Sequence, residues 1–390
     1  MIWKLLRLSL VPLALLCVIV MRLFKGRIRI GVMQSNRIGH LAGNMEVYLC
    51  EKDAGVRPKI LELWCAPGEI CNKQLLKMWG RVVTVDRTGF VEIMWKVNRL
   101  FKGWQPTEIP SGNLDRDALN LYEKYPPHLS FTKAEEARGI AELAKMGIPP
   151  GAKWVCLMVR DGTYLPHLGY HAHRDSDVND YMRAAVALSQ RGYYVIRMGA
   201  KVAKPMPFTT DRIIDYATNG MRSDFMDIYL CAKCEFALNN GTGLDAVCCA
   251  FRKPSCYVNF VPVEYLATWF PGSLAIWKHH VKDGKRMPPA EIWASGAGQF
   301  MGADEYEAAG ITLVDNTPEE IKAAAIEMAE SLPIPCSSLI PPLDLSPDIS
   351  TDNQSAFWQS FPRSISPYTH TPLHGEIRMR IGREFLKGYE

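Results

Sequence analysis

The stretch Arg27-Ile-Arg-Ile-Gly-Val-Met-Gln-Ser-Asn-Arg-Ile-Gly-His40-Leu-Ala-Gly-Asn-Met-Glu46 decides how this chain is read. Ile28 to Val32 is a short β-branched run, a polar turn follows, and an apolar-periodic segment opens at Leu41. Strand, glycine-bearing turn and helix, in that order, is how α/β proteins present backbone N–H groups to an anionic ligand. Gly39 permits close backbone approach, while Arg37 and His40 put a cation and a titratable imidazole at the same mouth. The pattern is neither GxGxxG nor a Walker A loop, so it names no ligand, and an ordinary first βα turn would carry similar residues.

Outward from this turn the pattern alternates. Strands are expected at 58–64 and 81–85, with helices at 69–79 and 91–101. A long helix spans 132–146, with Thr132 as N-cap and Glu135 at the capping-box position. Gly147-Ile-Pro-Pro-Gly-Ala then breaks the chain. A second series begins at Trp154–Val159: helix 178–190, strand 193–198, helix 224–232, strand 235–238, helix 244–251, and strands 255–259 and 311–314. Helix 318–331 closes it. The expectation is two doubly wound Rossmann-like domains facing a cleft, at 25–147 and 152–332. Residues 333–390 read as an irregular Pro- and Ser-rich excursion. Its Phe357, Trp358, Phe361 and Tyr368 are costly to leave in water, and a last helix is expected at 376–386.

At 390 residues, 48% hydrophobic and 22% charged, the composition is that of a globular chain. Lys4, Arg7, Arg22, Lys25, Arg27 and Arg29 all precede the first acid, Glu46. Without these six the chain holds 39 bases against 41 acids. A near-neutral body argues against a nucleic-acid surface and directs the basic excess at anionic lipid. Leu8 to Met21 is uncharged but only fourteen residues long. With Arg7 and Arg22 snorkelling, 1–24 is expected to be an uncleaved anchor or interfacial helix at the cytoplasmic face of the inner membrane. Eleven scattered cysteines suit buried thiols in a reducing compartment. Cys231-Ala-Lys-Cys234 is the only CxxC, without a second pair at zinc spacing, and reads as core packing.

Chemistry-bearing residues recur where predicted strands end. Arg160-Asp161-Gly162 follows Val159, Arg197 lies at the end of the 193–198 strand, and Asn239-Asn240-Gly241-Thr242-Gly243 leads into a helix. Arginines bind phosphate bidentately, and a glycine turn adds backbone donors, so Arg160, Arg197, Asn240, Gly241, Thr242 and Gly243 are the expected diphosphate site. Asp175-Ser-Asp177 has the spacing of a metal-holding DxD but opens a helix, so Ser176 or Asp177 reads as an N-cap. His167, His171 and His173 sit in a loop without the phasing of a metal site. No metal and no cofactor are expected.

Three segments carry a family resemblance. They are Arg37-Ile-Gly-His-Leu-Ala-Gly-Asn-Met-Glu-Val-Tyr-Leu49, then His173-Arg-Asp-Ser-Asp-Val-Asn-Asp-Tyr181 with Gly192-Tyr-Tyr-Val-Ile-Arg-Met-Gly199, and Asp215-Tyr216 with Ser223 to Cys234. From about residue 28 to the last helix the chain resembles a family of bacterial glycosyltransferases encoded with surface-polysaccharide genes. The resemblance implies a GT-B-like fold with the nucleotide-sugar donor held mainly by the second domain. In the first turn, Asn36, Arg37 and Gly39 are the residues expected to face a glycan or lipid-linked acceptor. Where relatives have a serine-rich turn this chain has Asn239-Asn-Gly-Thr, so donor preference does not carry over. Transfer needs a base at the acceptor hydroxyl; His40 is the first candidate and Asp161 the second. Two rivals remain: a nucleotide-sugar epimerase on the same fold, and a non-catalytic membrane-tethered partner of a polysaccharide assembly system.

Overall fold

The computed structural model describes residues 9–109, 116–163, 169–332, 352–366 and 370–389. β1 (Ile28–Val32) coincides with the β-branched run and pairs in parallel with β2 (Leu61–Cys65), Ile30 lying opposite Leu63. Single bridges add Glu108 beside Ile30 and Val85 beside Trp64. The strand expected at 81–85 shrinks to that bridge. Val82 and Val83 bond back to the Trp79 carbonyl, and Asp86 turns the chain by accepting from Thr88 N and Val91 N. The helix after β1 runs Ile38–Asp53, starting three residues before the apolar period does.

The remaining strands are β3 (Trp154–Met158), β4 (Tyr194–Met198), β5 (Ile213–Ile214), β6 (Phe236–Asn239), β7 (Ser255–Phe260), β8 (Leu274–Trp277), β9 (His279–Lys282), β10 (Lys285–Arg286), β11 (Ile311–Val314) and β12 (Arg380–Ile381). Seven of them form one sheet in the order β12-β8-β7-β6-β3-β4-β5, each neighbouring pair parallel. The chain winds outward from β3 to β5, returns to the other side of β3 at β6, and winds outward again. The order therefore reverses between β3 and β6, and a crevice opens beyond their carboxyl ends. Ile311–Val314 departs from expectation: it pairs antiparallel with β9, Leu313 opposite His280, in a separate sheet with β10.

Side chains of β3 alternate between two cores. Val155 and Leu157 join Tyr181, Leu188 and Trp277, while Trp154, Cys156 and Met158 join Leu41, Met45 and Ile228 from the other layer. The aromatic excursion belongs to the first core. Helix Asp352–Ser360 brings Phe357 onto Trp277, ring centroids 5.3 Å apart, with Trp358 and Phe361 buried beside it. The expected closing helix divides into β12, which completes the sheet edge against β8, and helix Arg383–Lys387. Residues 333–351 and Tyr368 lie outside the described residues.

At the other end, helix Val11–Leu23 lays Ala14, Val18 and Met21 against helix Phe90–Asn98. Among the described residues no helix is long and apolar enough to cross a membrane. Thirteen residues rise about 20 Å, short of the roughly 30 Å hydrocarbon core, and one face is already occupied by protein. The spanning anchor is corrected accordingly; residues 1–8 lie outside the described residues.

Candidate active site

Three turns named from sequence meet at the crevice. The first leaves β1 and is pinned by Met33 N on the Cys65 carbonyl, Ser35 Oγ on the Pro67 carbonyl and Cys71 N on the Ser35 carbonyl. This leaves Asn36 exposed, Arg37 at the rim and Gly39 and His40 in the cavity wall. The second follows β3. Arg160 N donates to Asn240 Oδ1 at 2.9 Å and Arg160 Nε to Asp175 Oδ1 at 3.0 Å, while Asp161 Oδ2 accepts from Ala203 N at 2.6 Å. The third follows β6 and touches the first. A Cβ on Gly39 would lie 3.0 Å from Gly243 Cα, and one on Gly243 would lie 3.2 Å from Gly39 N. The two turns approach backbone to backbone, which only a pair of residues without side chains permits.

The resulting cavity of about 520 Å³ is of small-molecule size. Arg37, Arg116, Arg160, Arg174, Lys201 and Arg222 line it, against Asp161, Asp227 and Asp245. Thr242 also lines it, its hydroxyl on Met158 Sδ at 3.6 Å, as do Gly241 and Gly243. Arg116 is spent on structure, donating to the Leu373, Tyr265 and Leu266 carbonyls. Arg174 is different. Its Nη2 donates to the Gly241 carbonyl at 2.8 Å and its Nε is buried with no partner. Burial, and then the neighbouring Arg160 charge, pull its pKa down to about 10, so it stays cationic at neutral pH. Two neighbouring guanidinium groups beside a glycine turn are able to bind an anion.

Two expected donor residues stand elsewhere. Arg197 is 1% exposed and lies behind the wall. Its Nη1 donates to the Lys204 carbonyl at 2.6 Å, and its guanidinium lies 3.5 Å from Asp215 and 3.9 Å from Asp161. It belongs to β4 itself, where strand pleating and burial set its direction. Asn240 is also buried, and its amide ties Arg160 N to the Arg174 carbonyl and Ser176 Oγ. It positions both arginines instead of facing the cavity. The helix after the third turn is only six residues long, Asp245–Ala250, and the Asp245 carboxylate occupies its first turn. The extra phosphate donors expected from that helix are therefore already used.

Sequence reading missed Arg174 and Asp245. Arg174 was legible only as the end of the His171–Arg174 loop, and Asp245 as an ordinary first-turn acid. Burial lifts the Asp245 carboxyl to about 7, against bonds from Tyr257 and the charge of Arg174. Asp177 caps the turn Val178–Tyr181 through Asn179 N, as an N-cap should, and Asp175 pairs with Arg160. His167 lies outside the described residues.

Neither a protein-family model nor a curated protein sequence matches the chain. Among solved structures it is similar to ADP-heptose lipopolysaccharide heptosyltransferase II of E. coli, at 12% identity and a TM-score of 0.37 over 60% of this chain and 86% of that one. It is also similar to a glycosyl transferase family 9 protein of Veillonella parvula, at 10% identity and 0.45 over 77% and 97%. A third is the iron-containing heptosyltransferase TibC, at 10% identity and 0.39 over 79% and 78%.

Proposed function

We propose that this chain is a glycosyltransferase that moves a sugar from a nucleotide-sugar donor to a surface-glycan or lipid-linked acceptor without a metal ion. The observation that carries the reading is Arg174: a half-buried cation beside Arg160, its Nε unpartnered, at the point where the parallel sheet reverses order. Arg160, Arg174 and the Gly241–Gly243 backbone hold the diphosphate, with Asn240 and Arg197 positioning them from behind. The division at 147–152 then separates an acceptor-side half, with Asn36, Arg37 and Gly39 at the rim, from a donor-side half. In the reaction the bond from the anomeric carbon to the diphosphate breaks and the acceptor oxygen bonds that carbon. The hydroxyl proton passes to His40, or to Asp161 as second choice. The two arginines stabilise charge growing on the leaving diphosphate, the role a metal plays elsewhere.

The test is release of nucleoside diphosphate from a panel of nucleotide sugars. Arg174→Ala should weaken donor binding roughly 10- to 150-fold, the equivalent of losing a charged hydrogen bond worth about 1.5–3 kcal/mol. EDTA should leave turnover unchanged. Unaltered donor affinity in a folded Arg174→Ala protein would place the diphosphate elsewhere, and chelator-sensitive turnover restored by manganese would overturn the metal-free reading.

The same reading places the protein on a membrane surface through helix Val11–Leu23. One face docks on protein while Leu13, Leu16, Ile19, Val20 and Leu23 are exposed, Leu16 by 58% and Leu23 by 74%. Arg22, Lys25 and Arg27 flank that face, which suits an interfacial helix on anionic lipid at the cytoplasmic side of the inner membrane. The full chain should co-sediment with vesicles containing phosphatidylglycerol, and Leu16→Glu with Leu23→Glu should leave it in the supernatant. Equal sedimentation of both proteins would remove this role.

A further inference from the structure

A groove at the amino ends of β1 and β2 takes no part in the proposed reaction. Arg27, Lys52, Asp53, Lys59 and Leu61 line it, three bases against one acid. Arg27 directly precedes β1, Leu61 opens β2, and Lys52 and Asp53 end helix Ile38–Asp53. Two backbone bonds tie the segments together: Arg27 N donates to the Phe24 carbonyl and Leu61 N to the Arg27 carbonyl, each at 3.0 Å. The groove therefore adjoins the end of helix Val11–Leu23.

Its charges are not all answered by protein. Lys52 Nζ lies 2.9 Å from Glu62 Oε1, and Asp53 Oδ2 lies 3.0 Å from His128 Nε2. Arg27 and Lys59 are exposed, and among the described residues neither side chain has a hydrogen-bond or ion-pair partner. Apolar surface is left in water beside them, since Phe24 is 50% exposed and Leu61 56%. A free phosphate would meet the two cations and leave Phe24 and Leu61 wet. A nucleic acid would need a broader basic surface than a near-neutral body supplies. An anionic phospholipid answers both needs, its phosphodiester pairing with the bases and its upper acyl carbons covering the apolar side chains.

We propose that the groove between Arg27, Lys52 and Lys59 seats the headgroup phosphate of an anionic phospholipid, with Phe24 and Leu61 against its upper acyl carbons. The site rests on the interfacial reading of helix Val11–Leu23 and adds to it a defined lipid contact. It also gives the protein a direction on the bilayer. The amino ends of β1 and β2 lie at the lipid, and the first rim turn follows at the far end of β1, five residues or about 16 Å away. The acceptor hydroxyl is then met above the headgroups and not among them.

The test uses the full chain and vesicles of phosphatidylcholine with and without phosphatidylglycerol. Arg27→Gln with Lys59→Gln should lower partitioning onto the anionic vesicles roughly 30-fold, about 2 kcal/mol for two bases. Lys285→Gln with Lys322→Gln removes the same charge from the other half of the chain and should lower it less than about threefold. Both bases of the groove are exposed, so thermal unfolding of the variant should match wild type. Equal losses in the two double variants would mean diffuse charge attraction and overturn the site. So would a thermal stabilisation by inorganic phosphate that needs Arg27 and Lys59 while vesicle binding does not, which would assign the groove to a soluble phosphate. Wild-type binding with an unchanged Arg27→Gln, Lys59→Gln variant removes the groove alone; absence of wild-type binding removes the interfacial helix as well.

Discussion

Replacing His40 with alanine is expected to lower turnover about 10²- to 10⁴-fold and to leave donor affinity near its original value. His40 is the third residue of helix Ile38–Asp53 and stands in the cavity wall, next to the Gly39–Gly243 contact. In the proposed reaction it serves the acceptor hydroxyl, so its loss should act on proton transfer more than on diphosphate binding. Turnover per folded molecule is the quantity to compare, with thermal unfolding measured alongside. Lower stability with normal turnover would make His40 a packing residue. Asp245 supplies the discriminating control. If it were the base, the rate would climb with pH through about 7, where its carboxyl ionises, and Asp245→Asn would abolish that rise. With His40 as base, Asp245→Asn should retain turnover within about tenfold of wild type.

Glu46→Ala should cost about 3–5 kcal/mol of stability, the usual consequence of removing one partner from a buried ion pair. Glu46 is 0% exposed on helix Ile38–Asp53. Its Oε1 accepts from Arg252 Nη2 at 2.7 Å and lies 3.2 Å from His128 Nδ1. His128 Nε2 reaches Asp53 at 3.0 Å, so one imidazole spans two carboxylates. Glu46, Cys50 and His128 lie close enough to hold a metal ion, yet Arg252 Nη2 sits 3.4 Å from Cys50 Sγ, and its charge opposes one there. Burial works against a charged His128, but Glu46 and Asp53 overcome it and raise its pKa. Stability from this raised pKa is therefore complete below the unfolded value of about 6.5 and fades as pH rises through the folded one. Urea unfolding should show a larger deficit for His128→Asn at pH 6 than at pH 8.5. A deficit independent of pH would mean that the ring only packs.

The local elements were legible because their causes are local. β1 follows from a β-branched run, and helices Lys133–Lys145 and Pro318–Ser331 follow from capping boxes built on Thr132 with Glu135 and Thr317 with Glu320. The three rim turns were legible too, since glycine, asparagine and arginine at strand ends have few other uses. Less legible were β8 to β10, where short strands carry no sustained period, and residues 81–85, where Asp86 turns the chain away before a strand can form.

The sequence by itself determined the parallel α/β series, the turns that ring its crevice and the basic, apolar N-terminal segment. These depend on neighbours within a few positions. Only the tertiary structure decided which arginine faces the cavity: Arg197 is enclosed by Lys204, Asp161 and Asp215, while Arg174 reaches the Gly241 carbonyl in the cavity wall. It alone set Glu46 against Arg252, 206 positions away, and brought Cys234 to within 4.0 Å of Cys248. It also turned the apolar N-terminal helix sideways onto helix Phe90–Asn98. Contacts between distant segments are chosen by packing and desolvation over the whole fold, and no local pattern records them.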